Sequence, residues 1–482
     1  MATVRYPPRH VQKVLALEAP GGEPDRVLAV LPTVTAPGRP VRLRVAVADA
    51  MGYPSLACGE AVRVRGPFVG GGEIVVPFEK GRPAVAAVEG VVLAADGLVR
   101  AEADLAGRAF PANPTLATRR PHAPVWWGDP HVHTVLSRCH AERCRSAEFC
   151  YAAARHFAGL DWASAADHVS NGRGDLGKWK ESAAAGDRHD DPPAFVTVPA
   201  YEASLDGGAG GDNNVYMRRW PPTFVDEFEG GNVRTLCRKM RDMLPEADFF
   251  VVPHHTTRTG KHGEVPDSIY PGPDLMPVLE IHSKWGTSEY RGNPNPLKKV
   301  HPGPAYAVDL LGRGLRLGFI GGTDTHATMP AGFGHDHLDR LPGLTAAFAP
   351  ARSRDAVFDA VRGRRCYATS LERIYLDVQA AGAGMGQVVS WPDAGAPREV
   401  RATAAAQSDI TAIEVVRCGR TVHRAAVGAW RGEVRWVDEA RLEEAALESP
   451  HLGRFVYYYV RVTCASGAQA WSSPVWIQKA TE

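Results

Sequence analysis

Four short apolar runs in this chain each end on histidine or an acidic residue. They read WWGDPHVHT with His131 and His133, SAADH with Asp167 and His168, FFVVPHHT with His254 and His255, and FIGGTDTH with Asp324 and His326. A fifth run, FVTVPAYEAS, ends on Glu202. Groups this far apart along a chain meet only when successive strands deliver them to one rim. The pattern therefore predicts an α/β scaffold with a multi-metal hydrolytic site at the strand ends.

The 482 residues are enough for two or three domains. Residues 1–120 read as β-rich. In PVRLRVAVAD, Val41, Leu43, Val45 and Val47 alternate with polar positions, the period of a half-buried strand. GGGEIVVPFEKG continues in strand-and-turn style, and the Pro-punctuated stretch around 112–124 reads as a linker. Residues 121–370 alternate differently. SAEFCYAAARHFAG predicts a helix with Ser146 as its N-cap, Phe149, Ala153 and Phe157 on one face, and Gly159 as its stop. NVRTLCRKMRDML and RSRDAVFDAVRGR are further helix candidates. LDWASAAD, FVTVPA, DFFVVP, MPVLEI and LRLGFIGG are continuous apolar runs of the kind seen in covered parallel strands. Residues 371–482 return to β alternation, with Val456, Tyr458, Val460 and Val462 on one face of a second sandwich-like domain.

Composition narrows the partners. A net charge of +1 offers no field to attract nucleic acid or anionic lipid. No apolar run is long enough to span a bilayer, and the opening MATVRYPPRHVQK lacks a signal-type apolar stretch, so cytoplasmic residence is expected. Eight cysteines without a CxxC pair predict reduced thiols.

In an extended segment, residues two apart face the same way, so His131 and His133 can reach one ion. Asp129 is expected to orient one of these rings from behind. Asp324 and His326 repeat the spacing, with Gly321 and Gly322 permitting a tight turn. Glu202 is the candidate bridging carboxylate, because its two oxygens can serve two cations. Consecutive strand residues point opposite ways, so one of His254 and His255 is expected to ligate, and His255 is favoured. Cys139, His140 and His282 (with Glu280 two residues before it) remain open as further contributors. His335 and His337 lie past the last strand, and His189 reads as a solvated loop residue. Imidazole with carboxylate suits Zn²⁺, Mn²⁺ or Fe²⁺ better than Ca²⁺ or Mg²⁺. Arg138, Arg173, Arg258, Lys261 and Lys284 follow the motifs and could neutralise phosphate.

The ordered set HVHT, ADH, YEAS, PHHT and GGTDTH resembles the motifs of the polymerase-and-histidinol-phosphatase (PHP) superfamily. WWGDPHVHT, NNVYMR, LEIHSKWGTSEY and RRCYATSLERIYLDV look most like its DUF3604 group. The resemblance implies a distorted (β/α)7 barrel, flanked here by the two β-domains, with two or three divalent ions. It implies that His131, His133, Glu202 and Asp324 bind the first ion. Glu202 would bridge to a second ion on His255, and His168 and His326 would serve a third. This chain departs from the pattern at two places. Arg138 stands where an acid is common, leaving Cys139 or His140 to substitute. Asp212 or Asn213 stands where the group carries a histidine.

The expected activity is hydrolysis of a phosphate mono- or diester by metal-activated water, with Glu202, His255, Arg138 and Lys284 as catalytic candidates and a small phosphorylated molecule as substrate. Two alternatives stay open: hydrolysis of a C–N or C–O acyl bond, and a non-catalytic, metal-stabilised binding protein. Oligomeric state is left open.

Overall fold

The computed structural model describes residues 2–479 apart from 121, 138, 141, 170–174, 206, 226–230, 301–302, 333–340, 371 and 392–396. The chain is mixed α/β and mostly strand. Near the N-terminus two antiparallel sheets face each other. One runs in the order Thr3–Arg5, Val85–Val92, Pro40–Asp49, Pro24–Val30. The other runs Arg108–Pro111, Glu102–Leu105, Val62–Arg65, Glu73–Val76. Leu43, Val45 and Val47 meet Val62, Val64 and Ala103 in a shared core, as the alternation in PVRLRVAVAD predicts. The opposite face of the same strand is also covered: Ala46 and Ala48 pack with Phe149 and Phe157.

That second contact ties the first sheet to the helix after the HVH motif. The helix Ala147–Ala152 begins as expected, with Ser146 Oγ accepting from the Phe149 amide at 3.1 Å. It continues as a π-helical turn, Ala153–Phe157, before Gly159 turns the chain with φ of 65°.

The strands that carry the motifs form three groups. Val125–Val132, Trp162–Ala165 and Val196–Thr197 pair in parallel. Val278–Ser283 and Gly318–Gly321 also pair in parallel. Ala200–Ser204, Asp212–Met217 and Phe249–Pro253 are antiparallel. Gly343–Phe348 is antiparallel to Val125–Val132. A regular seven-fold β/α alternation is therefore not what the described residues display, and helices are few. The cause is legible physically: a strand buried on both faces reads as a continuous apolar run in either pairing sense. Antiparallel neighbours need no crossover helix.

The large sheet does not stop at 370. Cys366–Ser370 pairs with Gly343–Phe348 on one side and with Gln469–Ser472 on the other. It continues through Gly453–Cys464 and Arg398–Arg417 to Tyr375–Ala380. Val456, Tyr458, Val460 and Val462 share one core, while Phe455, Tyr457 and Tyr459 enter another. No helix among the described residues is long and apolar enough to cross a membrane.

Candidate metal centre

His131 is at the end of the strand Val125–Val132, and His133 follows just beyond it. Both are fully buried. Their Nδ1 atoms are anchored from behind. Glu280 carboxylate oxygens lie 3.1 and 3.3 Å from His131 Nδ1, and Ser137 Oγ lies 3.1 Å from His133 Nδ1. The orienting acid is thus Glu280 and not Asp129. Asp129 instead accepts from the His131, Thr323 and Ala331 amides and from the Thr323 hydroxyl, and so holds the two motif turns together. Asp167 does the same for the HVHT turn, accepting from the amide and hydroxyl of Thr134 at 2.6 and 2.7 Å.

With Nδ1 fixed, the Nε2 atoms face inward toward two carboxylates. His131 Nε2 is 3.4 Å from Glu202 Oε2 and 3.6 Å from Asp324 Oδ1. His133 Nε2 is 3.2 and 3.1 Å from the same two atoms. Glu202, on Ala200–Ser204, divides its oxygens. Oε2 also faces His168 Nε2 at 3.1 Å, whereas Oε1 faces His254 Nε2 at 2.9 Å. Asp324 Oδ2 faces His255 Nε2 at 3.0 Å.

The adjacent pair departs from the expectation that one histidine points away. Both enter the cluster, and together with Asp212 they bring ligand atoms within 4.8 Å of one another. Strand alternation does not apply to them, because Phe249–Pro253 ends before either residue. His255 then takes a positive φ of 54°, which turns its ring back, and Asp324 does likewise at 50°. Asp212 Oδ2 lies 3.7 Å from His255 Nδ1 and 2.6 Å from His262 Nδ1. His262 carries no sequence signal: it ends a short 3-10 turn, Gly260–His262, as a lone histidine with no periodic neighbour.

At the other end His326 stacks on His133 with ring centroids 4.2 Å apart. Its Nε2 is 3.1 Å from Cys139 Sγ. Cys139, His133 and His326 form one grouping of ligand atoms within 4.8 Å, and His133, His168 and Glu202 form another. His140 contributes to neither: its side chain is about half exposed, and its ring meets the edge of His326 at 5.1 Å. His282 also stays out. Its ring nitrogens sit 2.8 Å from Thr287 Oγ1 and 2.9 Å from the Leu341 carbonyl. A register irregularity between Glu280 and His282 breaks the two-residue alternation, so Glu280 faces His131 and His282 does not follow it. His189 is no solvated loop residue; it ends the helix Leu176–His189 and lies 2.6 Å from Glu148.

Of the basic candidates, Lys284 is buried, and its amide donates to the Thr323 carbonyl beside the Asp324 turn. Arg258 lies over the indole of Trp285 at 5.8 Å. That indole presents against His326 at 5.8 Å and His255 at 6.2 Å, a contact the sequence did not single out. Arg138, Arg173, His335 and His337 lie outside the described residues, as does the Lys261 side chain.

Burial alone would raise the acidic pKa values here and lower the histidine ones. For Glu202, Asp324, His131 and His255 the charges override it. His168 and His254, with His131 and His133 close beside it, hold the Glu202 carboxyl well below its usual range. His131 and the hydrogen-bonded His133 do the same for Asp324. His131 is driven well above the usual imidazole range by Asp324 and Glu280 against burial, and His255 is raised to about 9 by Asp212 and Asp324. Burial keeps His326 and His168 low. Several buried atoms nonetheless have no hydrogen bond: His131 Nε2, His254 Nδ1, both His255 nitrogens, His326 Nδ1 and Asp212 Oδ1. Such atoms are costly unless something coordinates them. The donor set fits divalent cations, whose binding would displace the protons the rings otherwise hold.

No protein-family model matches the chain. An uncharacterized protein of Chlamydia muridarum is 36% identical over 212 residues, 42% of this chain and 34% of that protein. Uncharacterized proteins of Chlamydia trachomatis serovar D and Chlamydia pneumoniae are 34% and 30% identical, over 42% and 48% of this chain and 35% and 38% of theirs. The matches span little more than a third of these curated relatives. Among solved structures, a two-domain protein from Bacteroides vulgatus containing a predicted PHP-like metal-dependent phosphoesterase covers 71% of this chain and 94% of its own, at 13% identity and a TM-score of 0.36. A β-glucuronidase from Bacteroides uniformis covers 94% of this chain and 61% of its own, at 7% identity and a TM-score of 0.21. Neither likeness is close enough to transfer a fold or an activity.

Proposed function

We propose that this chain is a metal-dependent hydrolase acting on a small phosphate ester at a centre of two or three divalent ions. The observation that carries the reading is the division of Glu202: one oxygen faces His131, His133 and His168, the other faces His254. A carboxylate so placed is suited to bridging two cations. His131, His133, Glu202 and Asp324 would hold one ion; Glu202, His254, His255 and Asp212 a second; His168, His326 and Cys139 a third. The mixed donors favour Zn²⁺, Mn²⁺ or Fe²⁺. The order of the motifs, with its resemblance to the PHP superfamily, supports the same assignment. A distorted barrel built from the motif-bearing strands is part of the proposal, as are the three-part division at 120 and 370 and cytoplasmic residence.

Bound divalent ions acidify water and neutralise charge that develops on a phosphoryl group. The chain's own side chains do the rest. Glu280 and Ser137 fix the rings of His131 and His133 so that Nε2 points inward. Arg258 and Trp285 flank the cluster beside His255 and His326, offering a cation and an aromatic face to the ester. Lys284 and Arg138 are the further basic candidates for the phosphate.

The test is a metal count on purified protein by mass spectrometry, followed by turnover of aryl phosphate mono- and diesters with and without chelator. Amide and lactone substrates are assayed beside them. Two or three ions per chain with chelator-sensitive phosphoester turnover is expected. Metal-loaded protein that cleaves only amides or lactones would replace phosphoester by acyl-bond hydrolysis. A metal-free protein would end the reading.

A further inference from the structure

Away from the metal cluster, a cavity of about 420 Å³ lies where the first sheet, the π-helical turn and the large sheet meet. That volume falls within the roughly 300–1,000 Å³ of small-molecule sites. Its walls are largely apolar and include Leu28, Val30, Phe110, Phe157 and Leu344. Set into them is Arg373, only 8% exposed. A cation buried this far ordinarily has an anionic partner. Among the described residues no carboxylate lies within ion-pair distance of Arg373. Its Nη2 donates to the Ala158 carbonyl at 2.6 Å, and its Nε makes no hydrogen bond.

The nearby acids are committed elsewhere. Asp161 is engaged by Arg352 and lies 3.8 Å from Arg44. Glu372, also in the wall, accepts from the amides of Gln407 and Ser408 and from the hydroxyls of Ser408 and Ser466. Asp25, at the cavity's edge, is bonded by Arg26 and lies 3.9 Å from Arg108. Burial lowers the Arg373 guanidinium to about 10, against the opposing pull of Asp161. An apolar chamber with one under-compensated cation in its wall matches a ligand with a greasy body and a single negative head.

We infer that this cavity binds a small amphiphilic anion, an organic carboxylate or sulfonate whose head pairs with Arg373 and whose body fills the space beside Leu28 and Phe110. The inference does not rest on the hydrolase reading.

The test is a fluorescence titration of the full-length, metal-loaded protein with anilinonaphthalene sulfonate, followed by competition with octanoate and with octylamine. Saturable binding of one dye per chain is expected, displaced by octanoate and not by octylamine. Arg373→Gln should weaken dye binding about tenfold or more, the effect of losing one charge-assisted hydrogen bond. Leu28→Trp keeps the charge and fills the chamber; it should weaken binding as well, which covers the case in which Arg373→Gln fails to fold by circular dichroism. Absence of saturable binding, equal displacement by octylamine, or unchanged affinity in Leu28→Trp would each overturn the inference.

Discussion

Two of the clusters in which the chain buries charge are finished differently. Beside the large sheet, Glu289 is 1% exposed, yet every partner is supplied. Tyr459 and Arg461 donate to one oxygen at 2.6 Å each, and Trp471 donates to the other at 2.7 Å. Arg461 also reaches Glu414 at 2.8 Å and Thr421 at 3.2 Å. In the histidine cluster, ring nitrogens and a carboxylate oxygen are equally buried but lack hydrogen bonds. The first cluster is complete as protein. The second makes sense with cations added. Burial of charge alone does not separate the two clusters; the concentration of unmet ring nitrogens in one of them does.

The contrast breaks most severely at Asp324. Asp324→Asn should lower hydrolytic turnover by more than the ~100-fold typical of losing an outer partner to a metal ligand. It should remove at least one ion per chain by mass spectrometry. The melting temperature of the chelated protein should barely move, because the carboxylate serves cations more than the fold. Retained metal and retained turnover would place the working site elsewhere.

The satisfied cluster should respond in the opposite way. Arg461→Met leaves Glu289 without its cation and Glu414 with Arg424 alone, and breaking a buried pair typically costs about 3–5 kcal/mol. Denaturant unfolding should show that loss with or without chelator, while the metal count of the folded variant is unchanged. A loss that appears only in chelator would mean that the two clusters are coupled.

What the sequence disclosed follows the same line. His131, His133, His168, Glu202, Asp324 and His326 were legible because each closes an apolar run, and strand ends converge. His254 ranked behind His255 because strand alternation was extended past Pro253, where the strand has already ended. Glu280 was noted only as a companion of His282, since a register irregularity inside a strand leaves no mark on composition. Antiparallel pairing of Asp212–Met217 and the passage of one sheet across residue 370 were hidden for a related reason: apolar runs report burial, not partner or direction. Glu289 gave no signal, because its partners come from segments far along the chain.

Glu280→Gln separates the two kinds of burial within the metal centre itself. Glu280 touches His131 Nδ1 and is not among the grouped ligand atoms. Its loss should weaken metal affinity by about 10–100-fold, with full occupancy restored by excess metal. Occupancy that stays low at any metal concentration would promote Glu280 to a direct ligand.

The smallest effect lies inside the satisfied cluster, where two carboxylates on one arginine titrate in opposite senses. Burial raises Glu289 above the usual range, more than its partners lower it. Glu414 is held below that range, because Arg461 and Arg424 outweigh its burial. A depressed carboxylate stabilises the fold above its unfolded pKa of about 4.3, and that share is lost as pH falls toward the folded value. A raised carboxylate does the reverse: the folded state holds the proton more tightly, so its share is present in acid and is lost as pH rises through the folded pKa. The melting-temperature advantage of wild type over Glu414→Gln should therefore grow from acid to neutral pH, while its advantage over Glu289→Gln should shrink. Both are measured in chelator, so that the histidine cluster contributes equally to each comparison. Slopes of the same sign would mean that Arg461 fails to divide the two acids as their hydrogen bonds suggest.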